Sequence, residues 1–481
     1  MKVIFRVDSS STIGIGHLAR CLKLAKVLNK YKIYFVTKNL GGNANFLIKK
    51  KYRTYFINSN NEDDDAKEFI KILKNQIKVT KNQTYVVMDS YNLKQKWEKK
   101  VKPFTKKLLT IDDRIRSSSA DYYLNNNWFF NQNVKFLKFS NQGLLLGPIY
   151  GLVNKNKTIK KKIFVTIYFG SNDKYNLTTQ TLKNLIRFKI KNIYVILGHN
   201  FNFYKDLKKI DLKKNNIKII SKFKNLNEIF SETRLFIGAG GSISTERLLH
   251  KIPSLICPVV NNQKFISKSL HKENFQYNLN QKFFFDYVKW KKAFKYLIKK
   301  EIFFIKNLNY LSFKDSISRV KNIFYEKKHN FKIIKFNKKH KNILYNFINQ
   351  PEAIKSRLTQ KYIGIEEHEK FISKIEKSTN ESLYIGLNKK VVSGFIRFSH
   401  LGKKFVFIDI YTCPTLQGFS FAKMMLFEGI KNTLRTKKNI IFLAKVKKNN
   451  FKSIHFFKKY FKKKQEIKNA YVFECKMKFH D

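Results

Sequence analysis

The sequence predicts an α/β protein of three domains, two built on parallel sheets and a third of α+β type. Three observations support this prediction. Short apolar runs of strand length alternate with segments of helical periodicity over residues 1–153, and the alternation starts again over residues 158–326. The order of elements changes after residue 331, and a chain of 481 residues provides for about three domains of about 150 residues each.

The first domain opens with an apolar strand, KVIFRV, a turn, SSSTIGIGH, and a helix. The helix is predicted because Leu18, Cys21, Leu22, Ala25 and Leu28 recur at helical spacing. KIYFV completes a β-α-β unit, and TYVVMDSY, KKLLTIDD and ADYYLNNN continue as strands that run into loops. Gly and Pro break the pattern in GLLLGPIYGLV, and the basic run NKNKTIKKK is interpreted as a linker.

The second domain repeats the alternation with the strands IFVTIY, NIYVIL, NIKII, RLFIGAG and SLICPVV. Helices from WKKAFKYLIKK to about Glu326 close it. Two Rossmann-like domains with a cleft between them form the architecture called GT-B. We therefore expect two Rossmann-like domains in a GT-B arrangement, within residues 1–153 and 158–326.

The third domain, residues 331–481, has a different order of elements. FKIIKF, SLYIGLNKKVVSGFIRFSH and KFVFIDIYT are predicted strands, mostly in a meander, and the helix FAKMMLFEGIKNTL follows them. The polar segment YEKKHN precedes this domain. Because polar boundaries tolerate cutting, we expect residues 1–326 and 331–481 to work as separate fragments.

The composition argues against several classes of protein. The net charge is +65, but the Lys residues are spread along the chain rather than gathered in the stripe that a nucleic-acid site needs. The four Cys residues form no C-x-x-C pair, so neither a zinc site nor a disulfide framework is indicated. MKVIFRVDSS turns polar too early for a signal peptide. We expect a cytoplasmic monomer that binds neither nucleic acid nor membrane.

The turn after the first strand lies where open α/β sheets bind ligands, at the carboxyl end of a strand. Glycines there let the backbone approach a ligand, and a helix start offers free N–H groups to a phosphate. A histidine at this position can act as a base near neutral pH, and arginine provides forked hydrogen bonds. The candidate residues are Arg6, Asp8, Gly14, Gly16, His17 and Arg20.

A second glycine-rich turn, IGAGGSIS, runs from a strand into the helix TERLLHK. Its backbone N–H groups and serine hydroxyls can face a diphosphate. Glu246 is interpreted as a ligand of ribose hydroxyls, although a carboxylate in a first helical turn is also favoured by the helix dipole. No D-x-D pair or His cluster suggests a metal, so we expect none, and the acidic run EDDD, Glu62 to Asp65, is interpreted as a solvated helix start. The candidate residues are Gly238, Gly240, Gly241, Ser242, Ser244 and Glu246.

The pattern R-x-D-S-S-x-x-I-G-x-G-H-x-x-R-C closely resembles the opening of the nucleotide-sugar hydrolases of pseudaminic acid biosynthesis. These enzymes remove UDP from UDP-2,4-diacetamido-2,4,6-trideoxy-β-L-altropyranose without a metal. VVMDSYNL, TIDDRIRSSSADYYLNNN, LLLGPIYGLV and the nucleotide loop extend the resemblance over about residues 1–310. It implies that His17 activates a water, that Tyr91 and Asn262 orient sugar or water, and that Gln263 belongs to the UDP site.

The stretch QGFSFA resembles the pyrophosphate loop Q/R-x-x-G-x-G/A of GNAT acetyltransferases, and NNFKSIHFFKKYF resembles a later segment of that family. The resemblance implies that acetyl-coenzyme A is a co-substrate. Phe457 stands where many members have the tyrosine that protonates the departing thiolate. PEAIKSRLTQKYIGIEEHEKFISKI is similar to the start of the pathway's own acetyltransferase, which acts on the 4-amino precursor. The implied coenzyme-binding residues are Gln417, Gly418, Ser420, Ala422 and Asn450.

Several functions remain open from the residues alone. A hydrolase joined to an acetyltransferase is favoured by the resemblances. A GT-B glycosyltransferase would share the architecture, because an acceptor hydroxyl can replace the attacking water. The chain could also be a basic protein that binds RNA or anions without catalysis. For the third domain, a GNAT-like module kept only for folding or contacts competes with an active acetyltransferase.

Overall fold

The computed structural model describes the chain from residue 1 to 476 with short gaps. Residues outside the description are 11–12, 115, 129–142, 154–161, 171, 199–200, 214, 222–225, 242, 325–329, 436–438 and 477–481, together with the side chains of Asn261 and Asn262. Most of the predicted linker NKNKTIKKK and of the segment YEKKHN therefore lies outside the described residues.

The described residues form two compact units. One unit lies within residues 1–126, 131–152 and 314–481, and the other within residues 127–130 and 153–313. The first unit therefore joins the N-terminal sheet and the C-terminal domain. The second unit holds the second parallel sheet, and the GT-B arrangement of the two stays a prediction.

The first sheet is parallel throughout, with the strand order β3-β2-β1-β4-β5-β6-β7. Its strands are β1 (Lys2–Val7), β2 (Lys32–Thr37), β3 (Arg53–Phe56), β4 (Thr84–Asp89), β5 (Lys107–Ile111), β6 (Tyr122–Asn125) and β7 (Gly143–Leu146). Its helices are α1 (Gly16–Val27), α2 (Phe46–Lys49), α3 (Glu62–Lys71) and α4 (Gln95–Val101). Strand β7 lies in GLLLGPIYGLV, which the sequence pattern indicated only as a break.

The β1 strand forms because five of its six residues are buried, which is expected for a parallel strand covered on both faces. The apolar side chains of α1 cover one face of the sheet, where Leu18, Cys21 and Leu24 are at most 1% exposed. The other face is covered by α3 and α4 through Phe69 and Trp97. This layering leaves the carboxyl ends of β1, β4 and β5 at one edge of the sheet.

The second unit has a parallel sheet with the order β10-β9-β8-β11-β12-β13. Its strands are β8 (Ile163–Tyr168), β9 (Ile193–Ile196), β10 (Ile217–Ile220), β11 (Thr233–Ala239), β12 (Ser254–Cys257) and β13 (Tyr277–Asn278). Its helices are α5 (Leu177–Arg187), α6 (Tyr204–Lys208), α7 (Leu226–Glu232), α8 (Ser244–Leu249), α9 (Asn261–Lys272), α10 (Tyr287–Lys299) and α11 (Glu301–Leu308). The two parallel sheets confirm the Rossmann-like α/β prediction.

The C-terminal domain has a mixed sheet with the order β14-β15-β16-β17-β18-β20-β19. Its strands are β14 (Phe331–Lys335), β15 (Glu381–Asn388), β16 (Val391–Leu401), β17 (Phe405–Thr412), β18 (Ile441–Lys447), β19 (Lys462–Ile467) and β20 (Ala470–Lys476). The helices around it are α12 (Ser316–Lys321), α13 (Lys341–Ile348), α14 (Pro351–Ser356), α15 (Ile365–Lys377), α16 (Phe421–Leu434) and α17 (Phe451–Lys458). The predicted meander is confirmed in the antiparallel run from β14 to β17.

The N-terminal sheet and the C-terminal domain share one hydrophobic core. Phe347 and Cys413 of the C-terminal domain are fully buried in the same cluster as Val3 and Leu145 of the first sheet. Helix α12, which the sequence placed in the second domain, also packs into this cluster. Helix α12 packs here because it has an apolar face, which the first sheet and the C-terminal domain cover together.

Arg319 of α12 connects the two parts at the centre of this core and is only 1% exposed. Its guanidinium donates to the carbonyl oxygens of Ile149 at 3.2 Å, Lys314 at 2.6 Å and Val392 at 2.9 Å. Ile149 follows β7 and Val392 lies on β16, so one side chain bonds both parts. This packing does not favour independent folding of the fragment 331–481.

Helices in the described part of the chain are all too short or too polar to cross a bilayer. The expectation of a cytoplasmic location stays a prediction.

Candidate functional site

The first site lies where β1 runs into α1. Gly14 has φ +78°, a left-handed conformation that glycine adopts without strain, and its N–H donates to the carbonyl of Ser10 at 2.8 Å. A Cβ at Gly14 or at Gly16 would meet no atom of the described residues within 4 Å, so these two positions are open in the part of the turn that the structure describes. His17 follows in the first turn of α1, and this order leaves space for a ligand beside the histidine.

A buried carboxylate holds His17 in place. Nδ1 of His17 lies 2.5 Å from Oδ1 of Asp89, the last residue of β4. Arg20, one turn further along α1, donates to both oxygens of Asp89, from Nε at 2.6 Å and from NH2 at 2.7 Å. Burial alone would raise the pKa of Asp89, but the charge of Arg20 and the hydrogen bonds from Arg20 and His17 outweigh it and hold that pKa well below its usual range.

Tyr91 lies against the histidine. Its ring is edge-on to the His17 ring, with centroids 4.5 Å apart, and the guanidinium of Arg114 lies 4.4 Å from the centroid of the Tyr91 ring. The Tyr91 hydroxyl donates to Asp113 at 2.8 Å, and Asp113 also accepts two bonds from Arg20 at 2.8 Å. Burial and the charge of Asp113 raise the pKa of Tyr91, so the phenol stays protonated.

Arg6 and Asp8 occupy a neighbouring network that points into the protein. The Arg6 guanidinium is 0% exposed and bonds to Asp8 at 2.6 Å and to Asp65 at 3.0 and 2.5 Å. Asp8 also accepts the backbone N–H of Lys38 at 2.8 Å. The guanidinium of Arg6 is therefore engaged inside the fold, while these bonds to Asp8 all reach its Oδ1, and substrate contact by either residue stays a prediction.

The acidic run EDDD differs in part from its prediction. It begins α3, as predicted, and Asn61 caps that helix by accepting from two backbone N–H groups. Asp65 was predicted to be solvated, but the structure buries it: the residue is 0% exposed and pairs with Arg6. Its partner is 59 residues away in sequence, which is why the local pattern could not distinguish a surface carboxylate from a buried one.

Asp89 and Asp113 belong to this site, but they were not among the residues predicted from the sequence. Asp89 is the last residue of β4 in the motif VVMDSY, and Asp113 lies two residues after the end of β5 in the motif TIDD. That position is the signal that could have identified them, because carboxyl ends of parallel strands meet at the ligand edge. Among the described residues, no group of three or more His, Cys, Asp or Glu side chains is arranged to hold a metal ion.

The second site is the glycine-rich turn between β11 and α8 in the other unit. Packing requires at least two of its glycines. A Cβ on Gly238 would lie 2.0 Å from the backbone oxygen of Tyr168, and one on Gly240 would lie 2.5 Å from Oγ of Ser267. The turn therefore packs closely at Gly240, and the approach of a diphosphate to its backbone stays a prediction.

The remaining residues predicted for this turn lie around it. Ser244 begins α8, and the half-buried Glu246 lies in the first turn of that helix. Gln263 on α9 accepts the backbone N–H of Val259 at 3.1 Å, and its Nε2 would be 3.3 Å from a Cβ on Gly241. Ser242 and the side chain of Asn262 lie outside the described residues, so their roles stay predictions.

The third site is in the C-terminal domain, where β17 and β18 diverge. They pair in parallel from Phe405 with Ile441 to Phe407 with Leu443, although β17 continues to Thr412. The turn that follows has φ +86° at Gly418 and φ +61° at Ser420, and α16 begins at Phe421 without a side-chain cap. An uncapped start of a 14-residue helix can bind an anion such as a pyrophosphate, and the turn 417–420 is called the coenzyme loop after its predicted ligand.

The other residues predicted for this domain have clear structural positions. Gln417 is exposed and accepts from Nζ of Lys452 at 3.2 Å, and the half-buried Ala422 is in the first turn of α16. The Asn450 side chain caps α17 by accepting from the N–H of Ser453 at 3.2 Å. Phe457 is only 4% exposed and packs in the domain core, which accounts for an apolar residue there.

The described residues form two parallel, Rossmann-like α/β sheets followed by the mixed sheet of an α+β domain. A model of the acetyltransferase (GNAT) family matches residues 352–461. The chain is 30% identical over 288 residues to the UDP-2,4-diacetamido-2,4,6-trideoxy-beta-L-altropyranose hydrolase of Campylobacter jejuni, covering 57% of this chain and 98% of that protein. Through its N-terminal part, the chain belongs to the family of this hydrolase.

Two further similarities extend the comparison. The chain is 26% identical over 284 residues to the uncharacterized protein MJ1062 of Methanocaldococcus jannaschii, and the match spans 55% of that protein and 53% of this chain. The structure of the Campylobacter jejuni N-acetyltransferase PseH in complex with acetyl coenzyme A is 20% identical, covering 31% of this chain and 99% of that one, with a TM-score of 0.25.

Proposed function

We propose that this protein hydrolyses UDP-2,4-diacetamido-2,4,6-trideoxy-β-L-altropyranose to UDP and the free sugar. The observation that carries the proposal is the pair of His17 and the buried Asp89 beside the open turn of Gly14 and Gly16. A histidine held by a carboxylate at the ligand edge of a parallel sheet can act as a general base. The family relationship supports water, rather than an acceptor hydroxyl, as the attacking group.

In the proposed reaction, His17 takes a proton from a water molecule, and the water oxygen forms a bond to the anomeric carbon. The bond between that carbon and the UDP oxygen breaks, its electron pair leaves with UDP, and the configuration inverts. The glycine-rich turn of the other unit is assigned to the diphosphate, whose negative charge its backbone N–H groups stabilise. Glu246 is assigned to the ribose hydroxyls, and Tyr91 and Asn262 to orientation.

The full chain, incubated with the purified nucleotide sugar and no acceptor, should release free UDP and free sugar. His17→Ala should lower this rate by about 100-fold or more, the usual scale for a positioned base, with little change in UDP affinity. His455→Ala is the control, because His455 is exposed on α17 of the C-terminal domain. UDP release only after an acceptor is added would support a glycosyltransferase instead, and equal rates for His17→Ala and wild type would remove His17 from the mechanism.

Glu246→Ala should weaken UDP binding while leaving the His17 network intact, because the two lie in separate units. A calorimetric titration with UDP measures this effect directly. Unchanged affinity would show that Glu246 serves only the start of α8.

We also propose that the C-terminal domain acetylates the 4-amino precursor of the same sugar. Acetyl-coenzyme A supplies the acetyl group, and Gly418, Ser420 and Ala422 would hold its pyrophosphate at the start of α16. A thiol-release assay with the 4-amino nucleotide sugar tests the activity. Binding of acetyl-coenzyme A without any turnover would reduce this domain to a coenzyme-binding module.

A further inference from the structure

We propose that Asp89 is a positioning residue that sets the tautomer of His17, so that Nε2 is the nitrogen that accepts the proton from water. The inference deepens the proposed hydrolysis and rests on it. Asp89 touches no substrate in this account, and it acts through the imidazole.

The hydrogen bonds of Asp89 can be assigned oxygen by oxygen. Oδ1 accepts from NH2 of Arg20 at 2.7 Å and lies 2.5 Å from Nδ1 of His17. Oδ2 accepts from Nε of Arg20 at 2.6 Å and from Sγ of Cys21 at 3.6 Å. Each oxygen therefore faces a guanidinium donor, and the carboxylate is 0% exposed, so no solvent competes for it.

This arrangement decides which ring nitrogen of His17 carries the proton. A neutral imidazole has one N–H, and the tautomer follows the partner of each nitrogen. NH2 of Arg20 is also 3.2 Å from Nδ1 and would donate to it if Nδ1 were bare. The closer and negatively charged Oδ1 of Asp89 instead requires a donor at Nδ1, which leaves Nε2 as the acceptor.

Asp89→Asn should reverse this choice. An asparagine has one oxygen, and when that oxygen replaces Oδ2 it accepts from Nε of Arg20 and from Sγ of Cys21. The amide NH₂ group then faces Nδ1 of His17, which must become an acceptor, and the proton moves to Nε2. The exchange conserves side-chain volume, so the base is lost for a reason other than packing. In a comparable His–Asp pair of a protease, the same exchange lowers kcat on the order of 10⁴-fold.

Asp65→Asn is the matched control. Asp65 is also 0% exposed and also accepts two bonds from an arginine, Arg6, but it makes no contact with His17 in the described structure. Asp113→Asn is a second control, because Asp113 binds the same Arg20 through two bonds. Both should leave the tautomer of His17 unchanged.

The experiment records ¹⁵N NMR spectra of histidine-labelled full-length protein, with His17→Gln used to assign the His17 signals. Wild type should show the proton on Nδ1, and Asp89→Asn should show it on Nε2, with kcat falling at least 100-fold more than in Asp65→Asn while KM changes little. An Nε2–H tautomer in wild type would overturn the proposal even if Asp89→Asn fails to fold. Equal losses of kcat in Asp89→Asn and Asp65→Asn would overturn it as well.

The tautomer measurement needs no substrate. If wild type shows the Nδ1–H form but does not hydrolyse the nucleotide sugar, the proposed function fails while the orientation by Asp89 stands. If wild type hydrolyses the sugar with the Nε2–H form, the proposed function stands and the role of Asp89 is wrong.

Discussion

The His17 site and the coenzyme loop belong to the same compact unit, but they are built from different parts of the chain. Side chains from α1, β4 and the loop after β5 form the His17 site through buried charge pairs. The coenzyme loop is instead defined by its backbone conformation. Gly418 and Ser420 have positive φ, and α16 starts without a side-chain cap. The first site should therefore respond to single changes of charge, and the second to changes of backbone conformation.

The two sites nevertheless rest on one hydrophobic core, and removing a side chain from it should affect both. Phe347 is 0% exposed and packs against Tyr411, with ring centroids 5.1 Å apart. Phe347→Ala should lower the free energy of unfolding by about 3–5 kcal/mol, the usual cost of a buried Phe→Ala exchange. Chemical denaturation measures the loss, and thermal inactivation of both activities should shift together.

Phe46→Ala is the control for that prediction, because Phe46 is 62% exposed in the same unit and its loss should cost within about 0.5 kcal/mol. If Phe347→Ala inactivated the acetyltransferase at a lower temperature but left the hydrolase unaffected, the two parts would fold separately. Fragments cut near residue 330 would then work independently, as the sequence alone suggests.

Acid should destabilise the unit through a histidine of the C-terminal part. Burial lowers the pKa of His368 from 6.5 to about 4, and the ring is 0% exposed with Nε2 2.9 Å from the carbonyl of Lys341. The unfolded chain binds the proton at higher pH than the folded chain. Stability from this group is therefore complete above pH 6.5 and is lost as pH falls toward 4, by about 3 kcal/mol.

Denaturation of wild type and His368→Gln between pH 7 and pH 4 isolates this contribution, because the amide of glutamine can still donate to the Lys341 carbonyl. The variant should lose less stability than wild type over that range. His455→Gln, at an exposed position, should follow wild type. Parallel curves for wild type and His368→Gln would contradict the assignment.

The smallest expected effect tests the backbone of the coenzyme loop. Ser420 has φ +61°, a conformation that costs a non-glycine residue about 1 kcal/mol. Ser420→Gly should raise the free energy of unfolding by up to about that amount, and Gly418→Ala, at φ +86°, should lower it by a similar amount. Shifts of the same sign in both variants would show that the loop does not have this conformation in solution.

Local sequence patterns were sufficient for elements that depend on their own periodicity. Helix α16 begins and ends at the predicted residues, Phe421 and Leu434, and β1 is the predicted strand KVIFRV. Strand β7 was missed because its four residues adjoin Gly147 and Pro148, which indicate a turn. Short strands of this kind form only because a neighbouring strand is present to pair with them.

Contacts between residues far apart in the sequence limit how much of the sites the sequence can predict. His17 could be predicted from its glycine turn, but its partner Asp89 is 72 residues away and belongs to a different strand. Arg6 had the same signal as a ligand residue, and only the fold shows that Asp65 neutralises it. The sequence did not predict the shared core. Phe347 and Tyr411 are apolar, and an apolar pattern predicts that such residues are buried but not whether a second part of the chain packs against them.

The most direct test of the central claim is hydrolysis of the nucleotide sugar in H₂¹⁸O by the full chain without an acceptor. Mass spectrometry of both products locates the labelled oxygen. If His17 directs water to the anomeric carbon, one ¹⁸O atom appears in the free sugar and none in UDP. Label in UDP would indicate attack at phosphorus, and absence of UDP release would indicate that another acceptor is required, and either result would contradict the account.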